Sequence, residues 1–238
     1  MKNNLIYIFA LLLTLSACGP TPEELISEGK NRLRDGKFSE AASLIAEAVK
    51  ADPQNHDAFN ALGVAYYNLE ENGKAMEAFN SAITLFQQDY KYYFNRGNVN
   101  RKLNQPEKAI EDYSNAIALD ATHYDIFLNR GLSYMTENKL AEALNDFQKA
   151  SQLDRSQDKN VSYYFALTLL RFDRFEEAQK ALLTSIAIDP DFAEAYHQLA
   201  LAELGIQKGA SPEVCRYLAK AIELGYQPSL EYSKTYCE

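Results

Sequence analysis

Residues 94–97 read Phe94-Asn95-Arg96-Gly97, and 34 positions later the chain reads Leu128-Asn129-Arg130-Gly131. The same spacing runs outward in both directions. Gly29, Gly63, Gly97 and Gly131 are each 34 residues apart, and Ala166 and Ala200 continue the row after a slip of one residue. A second row runs Ala41, Ala75, Ala109, Ala143 and Ala178. A third runs Ala48, Ala82, Ala116, Ala150 and Ser185. Between them lies a bulky row of Ile45, Phe79, Tyr113, Phe147 and Leu182. Two antiparallel helices approach closely only where side chains are small, and large apolar residues fill the gaps between such crossings. One hairpin cannot bury its apolar face alone, but a stack of hairpins can. Asp52-Pro53 and Asp189-Pro190 end second helices, because Pro disfavours helix in the residue before it and lacks the N–H that the helix needs.

These rows resemble the tetratricopeptide repeat, a helix–turn–helix unit of 34 residues. The resemblance implies an all-α, right-handed α-solenoid of about six helical hairpins, with a C-terminal capping helix. The units fall near 22–55, 56–89, 90–123, 124–157, 159–192 and 193–227, and the cap takes 228–238. The family's late Pro is replaced by Gln87, Ala121 and Arg155. Asp158 is read as the one inserted residue before the fifth unit, and the sixth unit shifts by two residues around Gly209-Ala210.

The N-terminus reads as an address. Residues 1–4 are weakly basic, and Leu5 to Leu15 is an apolar run. It is shorter than the roughly 20 residues that a membrane-spanning helix needs, and it fits the apolar core of a secretory signal. Leu15-Ser16-Ala17-Cys18 then resembles the lipobox of bacterial lipoproteins. The resemblance implies a signal peptide over 1–17, cleavage before Cys18, and a lipid on the Cys18 thiol. Gly19 rather than Asp follows, which favours the outer membrane of a Gram-negative envelope, periplasmic or surface face. Residues 18–21 form the tether. Thr21-Pro22-Glu23-Glu24 reads as a helix start, with Thr21 as N-cap and Glu24 three residues later. At about 3.5 Å per extended residue, the first helix begins within roughly 10 Å of the lipid.

Cys215 and Cys237 remain. The turn between their helices centres on Tyr226, 11 residues from each. An antiparallel hairpin places such a pair side by side, and an exported chain meets oxidising conditions. A Cys215–Cys237 disulfide is expected, with two free thiols as the alternative.

The chain holds 33 acidic and 24 basic residues, a net charge of −9, and becomes one unit more negative once a leader containing Lys2 is removed. That balance opposes phosphate backbones, so nucleic acid is not an expected partner. No phosphate-cradling glycine loop, HExxH or nucleophile elbow occurs. His56, His123 and His197 lie in different repeats without metal-ligand spacing. No catalytic residue, metal or cofactor is expected, and an enzyme is not. His56 and His123 fall at repeat boundaries, while His197 is placed on an inward-facing helix where it lines the groove.

The resemblance implies binding. In the family, the first helix of each unit lines a concave groove, with contacts from recurring positions. Carried onto this chain, the third unit supplies Lys91, Phe94, Asn95, Asn98, Arg101 and Lys102. The fourth supplies Asp125, Leu128, Asn129, Leu132 and Met135. The fifth supplies Asn160, Tyr163, Tyr164, Leu167, Leu170 and Arg171. Asn95 and Asn129 occupy equivalent positions. Either they grip an extended backbone, as an amide that both donates and accepts can do, or they pack between helices. The fourth to sixth units are more apolar and aromatic than the third. Either these residues are interface anchors, or they are buried against the next helix. The Lys and Asn clamp of chaperone-binding relatives is not expected, because only Lys30, Lys91 and Asn95 approach it, while Ile26 and Ala61 depart from it. The expected partner is a protein or peptide of the cell envelope, the membrane being reached through the lipid anchor. The alternative is a self-associating structural lipoprotein, and the oligomeric state stays open.

Overall fold

Thr21 starts the first helix: its hydroxyl accepts from the Glu24 amide at 3.2 Å, and the Glu24 carboxylate accepts from the Thr21 amide at 2.8 Å. The computed structural model describes residues 19–238. The leader and Cys18 lie outside the described residues. Among the described residues the chain forms thirteen helices and no strand, and they fall into two compact units, one ending at Leu85 and the other spanning Phe86–Glu238.

The first unit holds two hairpins: α1 (Pro22–Arg34) with α2 (Phe38–Ala51), and α3 (His56–Asn68) with α4 (Asn72–Leu85). Its core shows why small and bulky rows alternate. A Cβ built on Gly29 would lie 2.3 Å from Ile45 Cγ1, and one on Gly63 would lie 2.5 Å from the Phe79 ring. The glycines are therefore the space into which the bulky row packs. Ala41, Ile45, Ala48, Ala75, Phe79 and Ala82 are fully buried.

The second unit holds four hairpins: α5 (Tyr90–Lys102) with α6 (Pro106–Leu119), α7 (Tyr124–Thr136) with α8 (Leu140–Leu153), α9 (Lys159–Leu170) with α10 (Phe175–Ile188), and α11 (Ala193–Gln207) with α12 (Pro212–Glu223). A short α13 (Ser229–Tyr236) closes it. The row pairing continues: a Cβ on Gly97 would meet Tyr113 at 2.8 Å, and one on Gly131 would meet Phe147 at 2.7 Å. In the next hairpin both partners change together. Ala166 stands in the small row, and Leu182 replaces the aromatic ring in the same buried cluster. Ser185, which stands where the other units have Ala, is buried with its hydroxyl donating to the Lys159 carbonyl at 2.9 Å.

The tight turns inside the hairpins share one backbone device. Gly36, Glu70, Asn104, Asn138 and Asp173 all adopt positive φ, between 55° and 72°. Each lets the next amide reach five residues back: Lys37 N–H donates to Arg32 O, Glu71 to Tyr66, Gln105 to Asn100, Lys139 to Tyr134 and Arg174 to Leu169, at 2.8 to 3.1 Å. That bond satisfies carbonyls that the helix end leaves open.

One irregularity differs in place from the sequence reading. Asp158 is not the inserted residue. It is the N-cap of α9, accepting from the Asn160 amide at 2.9 Å, as Asn55 and Asp89 cap α3 and α5. The extra residue lies within 155–157, where Gln157 takes φ 57°. Side-chain capping chemistry holds Asp158 in register, so the slack collects in the loop before it. The two-residue shift in the sixth unit is shared: the left-handed residue Lys208 stands 15 positions after the start of α11, where Asn104 stands 14 after the start of α5, and the rest enters the turn at Gly209-Ala210, as expected.

His197 also differs. It does not line a groove. The ring is buried, with Nδ1 2.9 Å from Ser229 Oγ, and it packs against Tyr226 and Tyr232 with ring centroids 5.1 Å away in each case. It sits under the end cap, and burial holds its pKa below the ordinary 6.5. Cys215 and Cys237 are joined by a disulfide that ties the start of α12 to the end of α13.

Candidate protein-interaction groove

In the second unit, α5 packs directly on α7 and α9 on α11, while α6, α8 and α10 each pack on the first helix of the following hairpin. The first helices thus form one layer and the second helices another. The first-helix layer carries a shallow depression of about 460 Å³, lined by Met135 of α7, Leu167, Leu170 and Arg171 of α9 and its C-cap, Phe175 of α10, and Gln198 and Leu201 of α11. Its lining is apolar apart from Arg171 and Gln198.

The expected groove residues divide into three groups. Leu167 lies in the depression, beside Met135, Leu170 and Arg171 from the same positions. Arg101 is exposed at the end of α5. The remaining residues are committed in part to internal contacts. The Asn98 carbonyl oxygen accepts from the Tyr113 hydroxyl at 2.8 Å. Asn129 donates one amide hydrogen back to Asp125 O at 2.8 Å, and Asn95 is half-buried. Leu132 packs on the cluster around Phe147. Tyr164 stacks on Phe147 at 6.0 Å, and Tyr163 packs on Phe192 at 4.7 Å between ring centroids. Burial, with Tyr226 nearby, pushes the Tyr163 hydroxyl up to about 12. Leu128 is buried in the core. Phe175, Gln198 and Leu201 line the depression without having been singled out in the sequence.

A second feature was missed although the motif was in view. Arg96 and Arg130, the residues after the two asparagines, reach into the gap between helices. Arg130 donates from Nε and Nη2 to both Asp146 oxygens at 2.8 Å, and from Nη1 to Ser114 Oγ at 3.0 Å. One hairpin earlier, Arg96 donates from Nε and Nη2 to Asp112 at 3.1 and 2.6 Å, and Asn100 adds a third donor at 2.8 Å. Burial raises the pKa of both carboxyls against the pull of their arginines. The signal was available: Arg96 and Arg130 recur at 34 residues, as do Asp112 and Asp146. These pairs lock α5 to α6 and α7 to α8, so the first-helix layer keeps its shape.

Among the described residues, no three His, Cys, Asp or Glu side chains gather as a metal site, and no helix is long and apolar enough to cross a membrane.

Comparison with known proteins agrees with the repeat geometry. Three tetratricopeptide-repeat family models match residues 26–90, 90–123 and 134–204. No curated protein sequence matches. Among solved structures, PilF of Pseudomonas aeruginosa superposes with a TM-score of 0.76 at 21% identity, over 90% of this chain and 96% of that one. PilW, a widely conserved type IV pilus biogenesis factor, gives 0.73 at 18% identity, over 90% and 99%. YrrB, a tetratricopeptide-repeat protein with an unusual peptide-binding site, gives 0.72 at 19% identity, over 81% and 99%. With family models tiling 26–123 and 134–204, and small and bulky rows interlocking hairpin by hairpin, the chain belongs to the tetratricopeptide-repeat family.

Proposed function

We propose that this protein is a membrane-anchored scaffold that captures another envelope protein or peptide on the first-helix layer of its second unit. The family is one of interaction scaffolds and is generally non-enzymatic. The observation that carries the proposal is the apolar depression across α7, α9 and α11, open to solvent and backed by helices locked through Arg130 and Asp146. Solvent-facing apolar concavities with a few polar groups are where proteins take ligands. PilW is a pilus biogenesis factor and YrrB has a peptide-binding site. Both support capture of a protein segment as the working role, and PilW supports assembly of an envelope complex.

The anchor is part of the proposal. Leu15-Ser16-Ala17-Cys18 supports a lipid on Cys18 and residence at the outer membrane. Cys18→Ser should abolish incorporation of radiolabelled palmitate and release the protein from membranes. Continued labelling would contradict the anchor. For capture, Leu167→Asp should lower recovery of the crosslinked partner at least tenfold with helicity unchanged. Asn95→Ala combined with Asn129→Ala should weaken it less, since Asn129 keeps only part of its amide for a ligand. Undiminished capture by Leu167→Asp would overturn the groove.

A further inference from the structure

Charge is unevenly spread over the first helices of the second unit: α5 and α9 carry cations and no acid, α7 balances Asp125 with Arg130, and α11 carries Glu194 and Glu203 with no basic residue. In α5, Lys91, Arg96, Arg101 and Lys102 occur with no acidic residue, and α9 carries Lys159 and no acidic residue. The second helices α6, α8 and α10 are net acidic, with Glu107, Glu111 and Asp112 against Lys108, Glu142 and Asp146 against Lys149, and Glu176 and Glu177 against Lys180, while α12 is balanced. The whole chain has 33 acidic against 24 basic residues, so the four cations of α5 go against its composition.

Some of these cations are used internally. Arg96 pairs with Asp112, Arg130 with Asp146, and Lys159 with Asp189. Arg101 and Arg171 are exposed and have no carboxylate partner among the described residues. Both stand at helix C-termini, where the helix dipole favours a cation. The dipole does not account for the whole pattern, because α7 ends in Met135-Thr136 with no basic residue in its last turn. Arg171 is moreover the one charged residue lining the apolar depression, and no carboxylate lines it.

We infer that the occupant of this groove is an extended partner segment that seats an apolar side chain in the depression and flanks it with carboxylates, one meeting Arg171 and another meeting Arg101. The inference rests on the scaffold reading and deepens it. First helices spaced by roughly 10 Å put α5 about 20 Å from α9. An extended segment rises about 3.4 Å per residue, so the two carboxylates stand about six residues apart. A guanidinium at the rim of an apolar floor matches a carboxylate in two-pronged geometry. A lysine-rich segment would meet like charge at both ends.

The test uses the full chain in detergent as bait against a displayed library of random dodecapeptides, read by sequencing. The expected result is enrichment of one large apolar residue with Asp or Glu near it and again about six positions away. In the best selected peptide, changing the nearer acid to its amide should weaken binding about tenfold. Arg171→Gln should weaken it similarly, and the two changes together should cost little more than either alone. Arg171→Lys, which keeps the charge but loses the two-pronged geometry, should bind between the wild type and Arg171→Gln, and circular dichroism should be the same for all variants. Enrichment of basic or uncharged peptides would overturn the inference, as would additive losses. No enrichment at all, with partner crosslinking still mapping to α7, α9 and α11, would overturn the extended acidic segment and leave the scaffold standing. Crosslinks mapping only to other faces would overturn the scaffold reading itself.

Discussion

Arg130 on α7 and Asp146 on α8 form a two-pronged ion pair with both N–O distances at 2.8 Å, and the side chains keep only 17% and 3% of their exposure. Arg130 also lies 5.8 Å from the Phe127 ring centroid and 5.7 Å from that of Tyr134. The pair fixes how α7 leans on α8. Removing one partner of a buried pair leaves the other charge without compensation, at a cost of about 3–5 kcal/mol. Asp146→Ala should therefore lower the urea midpoint strongly. Arg130→Met combined with Asp146→Leu should recover most of the loss, because two apolar groups of similar size need no partner. A single mutant as stable as the double would show that the pair contributes nothing to the hairpin.

Glu70 occupies a left-handed turn at φ 62°, where the equivalent residues are Gly36, Asn104, Asn138 and Asp173. The left-handed region costs an ordinary side chain about 1–2 kcal/mol and costs Asn less. Glu70→Asn is expected to stabilise the chain by about 0.5–1 kcal/mol, and Asn104→Glu to destabilise it by a similar amount. Matched urea titrations of the two variants check this, and equal or reversed shifts would show that φ does not set the preference.

These turns show what the sequence could and could not disclose. The 34-residue period, the small rows and the bulky row were legible because each row repeats a side-chain class. The turn row repeats a backbone angle, and Gly, Glu, Asn, Asn and Asp share no class. Arg96 with Asp112 and Arg130 with Asp146 were legible in principle, since both partners recur at 34 residues, but sequence spacing alone does not show that charged side chains turn into the gap between helices. Leu167 was found from the helical register alone. Phe175 was not, because it belongs to a second helix and reaches the depression only by packing against Gly205 of α11. His197 was misplaced for a related reason: the helical register gives the side of α11 but not where the capping helix lies against it, and Tyr226 of the preceding turn with Ser229 and Tyr232 of α13 pack around the ring.

His197 gives the cap a pH dependence with a definite sign. Burial holds its folded pKa below 6.5, and its nearest polar neighbours are the Ser229, Tyr226 and Tyr232 side chains. The unfolded chain then binds the proton more readily, so stability is full above about pH 6.5 and is lost as pH falls below it. The urea midpoint should drop between pH 7.5 and 5.5, and His197→Phe should reduce that drop. An unchanged drop would assign it to other groups.

The Cys215–Cys237 bridge closes a loop across a sequence separation of 22. A loop of that size stabilises by roughly 3 kcal/mol through the unfolded chain. Reduction, or Cys215→Ser with Cys237→Ser, should release α13 to hydrogen exchange while α5 to α8 keep their protection. Loss of protection throughout the second unit would mean that the cap supports the entire stack.

The central claim is that the first-helix layer of the second unit is the face that holds the partner. A photoreactive residue placed at Arg101 or Gln198 on that layer, or at exposed Lys149 or Lys180 on the second helices, tests it in living cells. The account predicts one discrete crosslinked partner from Arg101 and Gln198 and none from Lys149 and Lys180. The same partner captured from Lys149 and Lys180 alone would contradict it.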